Sequence, residues 1–152
     1  MKLTSPAFEH GEYIPSKYTC DGENINFSLK ISGIPSGTKT LALIMKDPDV
    51  PKHIREDGTW IHWVVFNISP VIRGISEGQE PKGVHGITTS NKLKYGGPCP
   101  QDREHRYFTK IFALDTELDL PEGATADQVL NSMKSHIIEE AVLMGKYERV
   151  KK

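Results

Sequence analysis

Two cysteines, no apolar run of membrane-spanning length and no surplus of charge of either sign mark this 152-residue sequence by what it goes without. With no such run, no membrane-spanning helix is expected. A net charge of −1 and a pI near 6.6 leave no electrostatic footprint for nucleic acid, although Lys146, Arg149, Lys151 and Lys152 make the C-terminal tail locally basic. The opening MKLTSPAFEHGEYIP lacks the apolar stretch of a secretory signal, so the chain reads as mature and cytoplasmic. In that compartment Cys20 and Cys99 are expected as free thiols, and their spacing does not decide whether the fold brings them together. Internal repeats, low-complexity tracts and linkers are missing too. What remains is an ordinary globular composition, 37% hydrophobic and 26% charged, suited to one domain over 1–152.

The most informative stretch is Asp47-Pro48-Asp49-Val50-Pro51, followed after a short polar loop by Trp60-Ile61-His62-Trp63. Each proline fixes its own φ and pushes the residue before it into extended backbone, so the segment is stiff and holds a carboxylate at low entropic cost. Alternation over the next run puts Trp60 and His62 on one face of a strand, with Val64 and Phe66 continuing it inward.

Several other segments read as strands. Phe27, Leu29 and Ile31 alternate with polar neighbours; Thr40–Lys46 and Ile61–Ile68 are apolar on both faces, as central strands are; Tyr107–Leu114 alternates Tyr107, Ile111 and Ala113 against Phe108, Phe112 and Leu114. Antiparallel pairing of the two apolar runs would set Asp47 beside the start of the His62 strand. The 69–94 segment shows little periodicity and is either a functional loop or one that hides short strands. One helix is convincing, opening on a capping box at Thr125 to Gln128 and carrying an apolar stripe through Val129, Leu130, Met133, Ile137, Ile138, Ala141 and Leu143 to Met144. His136 falls on its packing face, and Tyr147–Val150 reads as a last short strand.

Asp47, Trp60, His62, Gly97, Pro98, His105 and Tyr107 come from three separated segments and suit a small anion. Imidazoles and a phenol donate hydrogen bonds, the Tyr95–Pro100 glycine-proline segment either turns the chain or presents its amide N–H groups as a small nest, and Asp47 orients a ring. Histidine protonation near pH ~6.5 would then strengthen phosphate binding as pH falls.

DPDVP, the Trp60-x-His62 strand, the Gly97-Pro98 turn and His105-Arg106-Tyr107, in this order, resemble the signature regions of the phosphatidylethanolamine-binding protein family, also called Raf kinase inhibitor-like proteins. Tyr18-Thr19-Cys20-Asp21-Gly22, GGPCP and HRYFTKIFALD are similar to its bacterial and archaeal branch. The resemblance implies a mainly β chain, an antiparallel β-sandwich with a C-terminal helix. It also implies a pocket for phosphate or phosphorylated headgroups lined by the seven residues above, regulation of a partner such as a kinase or protease, and a homodimer. No enzymatic activity, cofactor or metal is implied. Gln101, Glu104 and Thr109 depart from the family pattern at the pocket mouth. The alternative is a metal-dependent hydrolase on Asp47, His62 and His105, which lacks the close histidine spacing that would strengthen it.

Overall fold

The computed structural model describes residues 1–149. Two antiparallel sheets face each other. The smaller contains Lys2–Thr4 (β1), Leu29–Ser32 (β2) and Gly74–Ile75 (β5) in the order β1-β2-β5. The larger contains Thr40–Asp47 (β3), Trp60–Ile68 (β4), Val84–His85 (β6), His105–Leu114 (β7) and Ile137–Tyr147 (β8) in the order β6-β4-β3-β7-β8. One α-helix among the described residues, Ala126–Met133 (α1), lies against the outer face of the larger sheet. The expected antiparallel sandwich is therefore the architecture, and the 69–94 segment does hide two short strands, β5 and β6.

β3 and β7 are central strands covered on both sides, which is why their sequences are apolar on both faces. Leu41, Leu43, Met45, Trp63, Val65, Ile111 and Ala113 face the smaller sheet; Ala42, Ile44, Val64, Phe66, Phe112 and Leu114 face α1. The two runs pair as expected, with Asp47 directly across from Trp60.

Two expectations need correcting. The first concerns the helix, which stops at Met133; the residues from Ile137 to Tyr147 form the edge strand β8, paired along its length with β7. Ser135 takes φ 70°, a left-handed backbone that ends the helical path and reverses the chain. Beyond that turn Ala141, Leu143 and Tyr147 alternate inward, a strand period that spacings of three and four also satisfy. His136 consequently lies at the turn, 44% exposed, with Nδ1 donating to Asp115 Oδ1 at 2.8 Å, and is not core packing. Of the proposed last strand, Tyr147 ends β8 and Val150 lies outside the described residues, as do Lys151 and Lys152.

The second correction concerns the face that His62 shares. The register steps from Met45 opposite Trp63 to Lys46 opposite Ile61, so His62 is the extra residue of a β-bulge. The bulge breaks the alternation: Val64 and Phe66 face the helix, whereas His62 packs edge-to-face on Tyr107 at the sandwich side, ring centroids 5.3 Å apart.

Candidate functional site

The ends of β3, β4 and β7 meet at one end of the sandwich around a cavity of about 340 Å³. Asp47, Trp60, His62, Gly97, His105 and Tyr107 all line it. Pro98 is not among the lining residues; its carbonyl instead accepts from Cys20 N at 3.1 Å. Most of the remaining wall is apolar, built from Val50, Pro51, Ile54, Ile61 and Pro100.

The DPDVP segment forms a tightly closed corner. Asp47 Oδ1 accepts from the backbone N–H of Asp49 at 2.7 Å, which fixes the carboxylate on its own loop. Asp49 faces outward and binds Arg106 through the backbone N and both Nε and Nη2, at 2.8–2.9 Å. These bonds from Arg106 hold the Asp49 carboxyl below its usual range, against the opposing effect of burial. Burial pushes Asp47 the other way, upward, despite the bonds it accepts from Asp49 and His105.

The two histidines differ in what they leave open. His62 is 6% exposed and donates Nδ1–H to the carbonyl of Gly96 at 2.7 Å, which fixes its tautomer. Its Nε2 is buried with no hydrogen-bond partner among the described residues. Burial lowers its pKa to about 4, so the ring is neutral near pH 7 and Nε2 presents a lone pair. The Tyr107 hydroxyl is likewise buried and unpartnered, and burial raises its pKa, so it stays a protonated donor. His105 has neither nitrogen free: Nδ1 meets Asp47 Oδ2 and Nε2 meets Asp102 Oδ1, each at 2.6 Å.

The donor set expected from sequence is thus redistributed. Gly97 N–H donates to Asn24 Oδ1 at 2.8 Å and Gly96 N–H to the carbonyl of His62 at 2.9 Å, so those amides hold the wall together and do not form an open nest. Gly97 has no room for a side chain, since a Cβ there would sit 2.2 Å from the Tyr18 carbonyl. The wall is further tied by Tyr95, whose hydroxyl donates to the same Tyr18 carbonyl and whose ring packs edge-on against Phe27 and Trp63. Cys20 and Cys99 are joined as a disulfide, Cα atoms 5.4 Å apart, and both line the cavity. The free-thiol expectation falls because these same contacts lay the 95–99 segment on the 18–24 turn.

Asp102 and Asn24 are the site residues that sequence reasoning missed. Asn24 sits at φ 57°, and its partner lies 73 positions away, so no local signal marks it. Asp102 stands three residues before His105, a spacing that a search for its partners could have flagged. Glu104, one of the departures from the family pattern, has its carboxylate engaged by the Tyr13 hydroxyl. Among the described residues no three His, Cys, Asp or Glu side chains are grouped as a metal ion would require. The hydrolase alternative would need His105 to release one of its two carboxylates.

The sandwich with its polar-ended cavity defines the class, and sequence similarity agrees: the chain matches the phosphatidylethanolamine-binding protein family over residues 4–148 and belongs to it. Its bacterial and archaeal relatives include a UPF0098 protein of Chlamydia pneumoniae, 52% identical over 149 residues and covering 98% of this chain and 99% of the relative. A UPF0098 protein of Methanothermobacter thermautotrophicus is 46% identical over 155 residues, covering 98% and 99%. Among solved structures, a phosphatidylethanolamine-binding protein homolog from Chlamydia trachomatis superposes with a TM-score of 0.95 at 47% identity, covering 98% of this chain and 97% of that one. YbcL of Escherichia coli, described as a member of the mammalian family, superposes at 0.88 with 28% identity and 98% coverage of both chains. No helix among the described residues is long and apolar enough to cross a membrane.

Proposed function

We propose that this chain is a non-catalytic binding protein whose cavity takes a small phosphate monoester with an apolar body. One observation carries the reading: two buried polar atoms, His62 Nε2 and the Tyr107 hydroxyl, have no partners among the described residues and belong to side chains that line one cavity. An unsatisfied buried polar group costs about 1–3 kcal/mol, and a ligand that pairs with both recovers that cost. The cavity lies near the lower end of the ~300–1,000 Å³ range of small-molecule sites, and its apolar wall suits more than a bare phosphate.

The protonation of His62 narrows the chemistry. A neutral ring with its lone pair inward accepts a hydrogen bond, so the bound phosphate carries a proton to give it. Affinity for phenyl phosphate should therefore rise as pH falls through about 6, where the dianion of a phosphate monoester takes up one proton. The cause differs from the one expected from sequence, because His62 itself charges only near pH 4. A phosphodiester has no such proton and should bind more weakly at pH 7, with flat affinity between pH 5.5 and 8.

Calorimetric titration of phenyl phosphate into wild type and His62→Gln tests this directly. Saturable binding that His62→Gln weakens about tenfold or more supports the site; absence of binding to wild type, or equal binding to both, overturns it. Regulation of a kinase or protease through the pocket is an extension of this reading, and fails if a pull-down keeps its partners with His62→Ala. The disulfide between Cys20 and Cys99 weighs against the cytoplasmic location expected from sequence, since reducing compartments keep thiols free. Alkylation in intact cells that traps both thiols would place the chain in such a compartment, and a bridged pair would place it in an oxidising one.

A further inference from the structure

His105 is 2% exposed and sits between two carboxylates, Asp47 on the buried side and Asp102 on the solvent side. A neutral imidazole has one N–H only, so this arrangement holds a second proton, on the ring or on one of the carboxyls. Asp47 belongs to the end of β3 and is itself fixed by Asp49. Asp102 differs in every respect. It lies in the irregular segment between Cys99 and β7, its side chain is 35% exposed, and its other oxygen contacts Arg103 Nε at 3.5 Å. Arg103 is 61% exposed, and an exposed ion pair of this kind contributes little to holding a segment in place.

Pro100, Gln101 and His105 all line the cavity, and Asp102, which lies between them in the chain, pairs with the last ring nitrogen. A carboxylate oxygen and a phosphate oxygen present the same chemistry to an imidazole N–H: both are charged acceptors. We propose that Asp102 is a built-in competitor, an acidic cap on His105 that a phosphate-bearing ligand must displace to complete its contacts. This rests on the binding reading above and adds a regulatory step to it. With Asp102 in place the cavity offers His62 Nε2 and the Tyr107 hydroxyl; with Asp102 released it offers His105 Nε2 as well, so that three groups converge on the phosphate. The buried, unpartnered atoms of His62 and Tyr107 mark where the ligand's head lies, and the capped nitrogen belongs to the ring stacked on Tyr107, centroids 6.4 Å apart. The cap also keeps His105 paired on both sides while the cavity holds no ligand.

The test is phenyl phosphate titration against wild type, Asp102→Asn, Glu104→Gln and His62→Gln. An amide keeps the shape of the cap but loses the charge that strengthens its bond to His105, so Asp102→Asn should bind about tenfold more tightly than wild type. Glu104→Gln removes a charge from the same short segment without touching His105 and should stay within about twofold. In wild type, phosphate should also shift the ¹⁵N resonance of His105 Nε2, and in Asp102→Asn the shift should begin at lower phosphate concentration. Unchanged or weaker binding by Asp102→Asn, or an equal gain from Glu104→Gln, overturns the cap. If His62→Gln loses binding while Asp102→Asn equals wild type, the cavity reading stands and only the cap falls. If no variant binds, both fall.

Discussion

The five-stranded sheet has two faces built from the same strands, and they do different work. Toward α1, Ala42, Ile44, Val64, Phe66, Phe112 and Leu114 meet Val129 and Met133 in a wholly apolar cluster. Toward the smaller sheet the core is apolar as well, yet its end admits Asp47, His62 and His105, all buried. The β-bulge at His62 marks the change, since it rotates one residue out of the apolar alternation and aims it at Tyr107. One face carries stability with nothing left unpaired by design, and the other accepts unpaired polar groups as the condition for holding a ligand.

The contrast breaks most visibly if the helix-facing cluster matters for binding. Phe66→Ala should cost about 3–5 kcal/mol in urea unfolding, while phenyl phosphate affinity, measured well below the melting temperature, stays at the wild-type value. A clear loss of affinity would mean that the faces are coupled. On the other side, Cys99→Ser opens a cross-link spanning 79 residues and should cost about 2–4 kcal/mol. Because Cys20 and Cys99 line the cavity, affinity should drop as well, and reduction of wild type should reproduce both effects.

A smaller effect follows from pH. The His62 pKa lies at about 4 in the folded protein against 6.5 in an exposed histidine, so between those values the unfolded chain binds a proton that the folded one refuses. Stability should therefore fall as pH drops from 6.5 to 4, by about 3 kcal/mol from this group. Urea midpoints across that range should fall less steeply in His62→Gln, and parallel curves would refute the assignment. The smallest effect has opposite signs in its two readouts. Tyr107→Phe removes an unpaired buried hydroxyl and should leave stability unchanged or raise it by about 1 kcal/mol, while weakening phenyl phosphate binding about fivefold. A destabilised Tyr107→Phe would mean that the hydroxyl is already satisfied.

The central strands were legible because burial on both sides leaves an unbroken apolar run, as in β3 and most of β4. β8 was not, because Val129, Met133, Ile137 and Ala141 fall at spacings that a helix and a helix-turn-strand both satisfy. Only the left-handed backbone at Ser135 separates the two, and serine gives no warning of it. For the site, residue identity was readable and bonding state was not. Asp47, His62, His105 and Tyr107 were identifiable from stiff or alternating segments, and the structure brings them to one cavity. That His62 points a lone pair inward, that the glycine amides are already engaged and that His105 is capped all depend on partners distant in sequence, Asn24 among them. The disulfide is of the same kind, since 79 residues of spacing say nothing about distance in space.

The anchoring of the 95–99 segment has one more consequence. Tyr95 is held by aromatic neighbours and by a bond to the Tyr18 carbonyl, and Cys99 is covalently fixed to Cys20, while strand β7 starts at His105. Only the short arc from Pro100 to Glu104 hangs between these moorings. Such an arc can be rewritten residue by residue while the scaffold beneath it stays put, so new ligand preferences would evolve there first.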